Sequence, residues 1–273
     1  MLIKTSHRDV PTAANGSKGT MRIYVIEPNV PEYPEAKFPG VVVFSEIYQV
    51  TGPVERFASN IASEGWIVAL PSSFHEFEGP EAIPYDTEGT DRGNKYKVEK
   101  TVEAYDEDAT LSVDLLCNLS NCTGRIAATG MCLGGHLALR CAFDPRVLAS
   151  FCYFATDVHS STLGKGKSDD SLQRIEQGHL KGEISMVFGK QDTHVDREGR
   201  SLIRNTMDDA GVILNFIEVQ AQHAFIRDES SKGRWDAALS RSLFGMMMET
   251  FNRVVARDLG PRASSGAKVE HVC

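Results

Sequence analysis

The chain lacks the ingredients of several large classes of protein. Its longest clean apolar runs, such as Val41-Val42-Val43-Phe44, fall far short of the roughly 20 residues that a helix needs to cross a bilayer. The opening stretch, Met1 to Pro11, has no apolar core of the kind a secretory signal carries. Basic blocks are absent, and 29 Lys and Arg against 37 Asp and Glu leave a net charge of −8. Nucleic acid and anionic membrane are therefore poor partners. Six cysteines occur, at 117, 122, 132, 141, 152 and 273, but none forms a C-x-x-C pair, which argues against a zinc site or a redox dithiol. Most sit in apolar stretches, where a free thiol behaves as a small hydrophobe. A reducing, cytoplasmic setting is the simpler expectation. Glycosylation tripeptides at Asn15, Asn118 and Asn121 carry little weight without a signal peptide. No internal repeat is found.

What is present is ordinary globular composition, with 41% apolar and 24% charged residues, which excludes wholesale disorder. The 273 residues suit one large domain over 1–257, followed by a tail over 258–273 that reads as disordered. Short β-branched runs at 21–26, 40–45, 66–70, 125–129, 149–154, 184–188 and 213–219 read as strands. Several are apolar on both faces, as strands covered by helices on both sides must be. Helical patterns lie between them at 53–63, 101–119, 133–143 and 198–210, the last ending at Gly211. A final helix over 234–256 is expected to bury Trp235, Leu239, Met246 and Val254. In 101–119 the apolar stripe is Val102, Tyr105, Ala109, Val113 and Leu116, and Glu103, Asp106, Glu107 and Asp108 read as a solvated acidic face. The alternation predicts an α/β fold with a mostly parallel sheet between helical layers. Residues 78–100 break the rhythm and read as a lid-like loop.

One short segment carries chemistry. Gly130-Met131-Cys132-Leu133-Gly134-Gly135 joins the strand 125–129 to the helix 133–143 in the pattern G-x-C-x-G. This is the cysteine form of a nucleophile elbow. A tight turn of this kind lifts its middle residue to the C-terminal edge of the sheet, and small neighbours let the backbones approach. The helix N-terminus beneath it predicts a lowered thiol pKa and a place for an oxyanion. A buried structural thiol beside chance glycines is the plainer alternative. A nucleophile needs a base and an orienter. Asp192 follows the strand 184–188 and His223 follows 213–219, so Cys132, Asp192 and His223 fall in order, each at the end of its own strand. His194 and Asp196 raise the idea of a metal, but an Asp-x-His-x-Asp loop is usually solvated, no fourth ligand appears, and Asp196 reads better as a helix N-cap. His136 and His179 read as structural helix residues.

With these residues in hand, the chain resembles the dienelactone hydrolase family of α/β-hydrolases over roughly 20–256. The resemblance rests on Gly-Met-Cys-Leu-Gly-Gly at 130–135, Phe-Gly-Lys-Gln-Asp at 188–192, His-Ala-Phe-Ile-Arg at 223–227 and Ser-Glu-Ile-Tyr at 45–48. It implies the α/β-hydrolase fold and a cofactor-free, metal-free cysteine hydrolase that opens lactones or cleaves small esters. It implies that Glu46 contacts the resting cysteine, and that the N–H groups of Ile47 and Leu133 form the oxyanion hole. Family members grip a substrate carboxylate with two arginines. Arg227 matches one, whose alternative is a surface arginine pairing with Asp228 or Glu229. The other falls where this chain has Glu76, so Phe74, His75 and the 78–100 segment are expected to shape a different pocket, with Glu76 and Arg227 able to pair across it. Broad carboxylesterase or thioesterase activity is the runner-up, then a non-catalytic small-ligand binding protein, then a peroxide sensor. Monomer and homodimer are both left open.

Overall fold

The computed structural model describes residues 1–14, 19–258 and 260. Eight strands form one sheet: β1 (Ile3–Thr12), β2 (Gly19–Pro28), β3 (Phe38–Phe44), β4 (Ile67–Pro71), β5 (Cys122–Met131), β6 (Val147–Tyr153), β7 (Glu183–Gly189) and β8 (Ile213–Val219). Their spatial order is β1-β2-β4-β3-β5-β6-β7-β8. β2 pairs antiparallel with both β1 and β4, and every pairing from β4 to β8 is parallel. All seven strands read from the sequence are present.

Side chains alternate between two cores, because successive residues of a strand point to opposite faces. In β3, Val41 and Val43 meet α1 (Gly52–Ser63) and α7 (Ala237–Phe251), whereas Val42 and Phe44 join the core of α3 (Val102–Asn118), α4 (Leu133–Cys141) and α6 (Arg197–Asp209). The buried stripe of α3 is the one its spacing predicts. Asp196 caps α6 by accepting from the Gly199 N–H at 2.7 Å. α5 (Ser171–Glu176) is a single short turn of helix, and a π-helical turn at Asn252–Ala256 follows α7.

One strand escapes the sequence reading, and several expectations need correction. The strand β1 has no apolar run, because it is a half-exposed edge strand that pairs only with β2. The stretch 78–100 is not simply a loop: its second half is the helix α2 (Thr87–Glu99), capped by Asp86. Its polar composition hides it, and its inward face is made of Gly89 and Gly93, the latter packed against the Ile47 carbonyl. In α7 the buried side is Leu243, Met247, Met248 and Phe251, while Trp235 and Met246 are 49% and 40% exposed. The acidic face of α3 is mostly engaged. Asp106 pairs with Arg140, Glu107 accepts the Ala13 and Ala14 N–H groups, and buried Asp108 binds Lys100, leaving Glu103 to solvent.

His136 is buried and bonded to the Ser171 hydroxyl at 2.8 Å, while His179 lies beyond α5 rather than on a helix, edge-on to Phe143. Cys117, Cys122, Cys132, Cys141 and Cys152 are free thiols. Cys273, the Asn15 tripeptide and nearly all of the 258–273 tail lie outside the described residues. Among those described, no helix is long and apolar enough to cross a membrane.

Lys100, just past α2, is fully buried. Its ammonium donates to the Ser73 carbonyl at 3.0 Å, to Glu76 Oε2 at 2.8 Å and to Asp108 Oδ2 at 2.6 Å. Removing the cation would strand two carboxylates out of water. Lys100→Met should therefore lower the unfolding free energy by about 3–5 kcal/mol in urea titrations. Glu103→Gln on the same helix should change it by less than about 0.5 kcal/mol.

Candidate active site

The turn between β5 and α4 holds Cys132 at φ 60°, ψ −121°, a strained conformation for a residue with a side chain. Two glycines make the turn possible. A Cβ on Gly130 would run into the Gly134 carbonyl, and one on Gly134 into the Phe44 carbonyl at the end of β3. The turn is fixed by the Cys132 N–H donating to the Tyr153 carbonyl at 3.1 Å and by the Cys132 carbonyl accepting from Gly135 at 3.0 Å.

Asp192 and His223 converge on the same sheet edge. His223 Nδ1 lies 2.7 Å from Asp192 Oδ2. The aspartate also accepts the His194 N–H at 2.8 Å. Burial opposes its ionisation, but hydrogen bonds from His194 and His223 prevail and hold its carboxyl well below the usual range. The imidazole of His223 stands edge-on to Phe154, and its Nε2 is buried with no hydrogen-bond partner among the described residues. The nitrogen opposite the aspartate is thus free for a proton from elsewhere.

His194 is exposed, as the solvated-loop reading has it, but its ring is engaged. Its ring stacks on His223 at 4.1 Å between centroids, and its Nδ1 sits 3.2 Å from Asp192 Oδ1. Asp192, His194 and His223 can each offer one ligand atom within 4.8 Å of the others, but both Asp192 oxygens are already engaged by imidazole nitrogens. Asp196 turns away to cap α6.

The thiol itself is not activated at rest. Burial, reinforced by the nearby Glu46 carboxylate, pushes Cys132 up to about 12, against the pull of the Leu133 N–H at the helix N-terminus. The expectation of a lowered pKa is corrected: desolvation outweighs the helix dipole here. Cys132 still keeps part of its surface open to solvent. The Ile47 N–H donates to no backbone carbonyl or side chain among the described residues, and the Leu133 N–H acts on the Cys132 sulfur.

Glu46 is buried and meets the Arg227 guanidinium at 3.3 Å and the Tyr85 hydroxyl at 3.2 Å. The Arg227 guanidinium also lies 4.4 Å over the Tyr85 ring. Arg227 is thus no surface arginine; Asp228 and Glu229 pair instead with Arg56. A cavity of about 20 Å³ lined by Glu46, Met131 and Arg227 has room for about one water. Glu76 and Arg227, which could have paired across a shared pocket, do not meet. Glu76 binds Lys100, His75 binds Asp108 at 2.9 Å, and Phe74 is fully buried with its N–H on the Gln49 amide. These three brace α2 and α3.

Tyr85 and Lys97 were not read from the sequence as site residues. Lys97 on α2 pairs with Asp157 beyond β6 at 3.0 Å, which tethers the helix above the site. Both residues lie in a segment without apolar periodicity, and their partners are distant in sequence, so no local signal marks them.

The sequence profile of the dienelactone hydrolase family matches residues 21–255. A Saccharomyces cerevisiae protein described as "Putative carboxymethylenebutenolidase" is 53% identical over 277 residues, covering all of both chains. A Pseudomonas sp. carboxymethylenebutenolidase is 27% identical over 199 residues, covering 70% of this chain and 76% of its own. A Klebsiella pneumoniae crystal structure described as "Putative Dienelactone Hydrolase" superposes with a TM-score of 0.74 at 17% identity, over 93% of this chain and 100% of that one, a likeness of fold. With a matching profile across most of the sequence and a relative identical at half its positions, the chain belongs to the dienelactone hydrolase family.

Proposed function

We propose that this hydrolase of carboxylic ester bonds opens lactones or cleaves small esters through an acyl-enzyme on Cys132. The observation that carries the reading is the Asp192–His223 pair with its outer nitrogen unpartnered, at the sheet edge to which the strained turn lifts Cys132. The thiol proton passes to His223 Nε2 as the sulfur bonds to the ester carbonyl carbon. The carbonyl oxygen becomes an oxyanion facing the Ile47 and Leu133 N–H groups, each typically worth about 10²–10³ in rate. The C–O bond breaks and the alkoxide takes the proton from His223. Water, deprotonated by the same nitrogen, then releases the acid and restores the thiol. Asp192 holds the imidazole tautomer and stabilises its charged form.

Glu46 and Arg227 tie the resting state to the substrate. Arg227 offsets the charge of Glu46, which in turn disfavours the thiolate. A substrate carboxylate that captures Arg227 would draw it away from Glu46 as the thiol proton passes to His223. The high resting pKa also weighs against a peroxide-sensing role, which requires a thiolate.

Cys132→Ala should reduce hydrolysis of p-nitrophenyl acetate and of short lactones by at least about 10³-fold with an unchanged melting temperature. Retained turnover would overturn the nucleophile assignment. Asp192→Asn should lower kcat by about 10³–10⁴-fold with little change in KM. His194→Ala, which removes a stacked ring and one hydrogen bond to Asp192 but leaves the His223 contact in place, should lower kcat by less than about tenfold. Equal losses from the two would favour a metal site instead, and metal analysis would decide. With a thiol pKa near 12, the thiolate fraction grows with pH throughout the neutral range. Iodoacetamide should accordingly alkylate Cys132 about tenfold faster for each pH unit between 7 and 9, without a plateau. Glu46→Gln removes the opposing charge and should accelerate that reaction at pH 7.5; mass spectrometry of the labelled peptide measures both effects.

A further inference from the structure

Between α1 and the start of α7 lies a bowl of about 390 Å³, within the range of small-molecule pockets. Phe57 and Phe244 meet edge to face at 6.0 Å, Phe57 and Tyr153 at 5.9 Å, and Trp235 stands at the lip, 49% exposed. Phe57, Pro53 and Ile226 also line the small cavity beside Glu46 and Arg227, so the bowl adjoins the candidate active site without including its reacting groups.

Two further observations point to a ligand. Arg56 on the rim is taken up by Asp228 and Glu229, but Arg241 makes no ion pair, hydrogen bond or ring contact among the described residues. Its guanidinium is thus open to an anion at the edge of an apolar bowl. The second is Gly245, in the interior of α7 and part of the lining. Glycine weakens a helix interior relative to alanine. The other described helical glycines have a neighbour that a Cβ would press upon, whereas a Cβ on Gly245 would meet nothing within 4 Å, and its φ is ordinary for a helix. Neither packing nor backbone conformation requires glycine there. What its missing side chain preserves is empty space on the bowl side of α7.

We propose that this bowl is a binding site for an aromatic carboxylate of one or two rings, its ring plane among Phe57, Phe244 and Trp235 and its carboxylate on Arg241. The rings offer edges and faces for a planar apolar body, and the guanidinium offers a fork that fits a carboxylate.

The test is titration of the purified full chain with 3-phenylpropionate, and with its neutral amide as control, by calorimetry and by tryptophan emission. Trp66 is buried away from the bowl, so the emission change should come from Trp235 and vanish in Trp235→Phe while the binding heat persists. Gly245→Leu should fill the bowl without disturbing the fold and abolish binding of both acid and amide. Arg241→Gln should weaken the acid about three- to fivefold, the scale of an exposed ion pair, and leave the amide unchanged. No saturable heat with the wild-type chain at millimolar ligand, or binding that survives Gly245→Leu, would overturn the site. Because binding is read without turnover, the result is independent of whether Cys132 is the nucleophile.

Discussion

The close approach of two backbones at one point sets most of this structure's geometry. The first turn of α4 lies so near the end of β3 that only a hydrogen atom fits between Gly134 and the Phe44 carbonyl. Gly130 leaves the same room for the Gly134 carbonyl. That contact forces Cys132 into a left-handed conformation and aims the first N–H groups of α4 at the sheet edge. The parallel strands bring Asp192 and His223 to the same edge, since each follows the C-terminal end of its strand.

The resting site balances two opposing effects on one sulfur. A helix N-terminus favours negative charge, and burial beside a carboxylate disfavours it. Burial prevails, by a margin that keeps the thiol protonated in neutral solution. Such a site gains protection from alkylation and oxidation and gives up readiness. The roof of the site has few hydrophobic anchors. α2 is held by Gly93 against Ile47, by Lys97 on Asp157 and by ring contacts of Tyr96 with Phe74 and Phe77.

Features written in local spacing were legible in the sequence. The seven strands β2 to β8 show as short apolar or β-branched runs, and the buried stripe of α3 shows as steps of three and four. The order of Cys132, Asp192 and His223 follows from their places after strands. Features that depend on partners far along the chain were not legible. Asp108 reads as one of four surface acids, and only the fold brings Lys100 and His75 to it. Arg227 reads equally well as a partner of Asp228 until Arg56 is seen to occupy that acid. α2 lacks the apolar stripe that marks a helix because its inward face is glycine. The direction of the thiol's pKa was misjudged because the helix terminus is visible in the motif and the depth of burial is not.

The Lys100 cluster also bears on how the sequence can drift. Glu76 and Asp108 share the one buried ammonium of Lys100, so losing Lys100 strands both carboxylates, whereas losing either acid leaves the ammonium one partner. An arginine at position 76, which resemblance to the family would place there, would sit against that ammonium. The effects of changing positions 76 and 100 are therefore expected to be non-additive. The charge that position 76 can carry is in this way set by a contact beneath α2 and α3 rather than by the active-site residues.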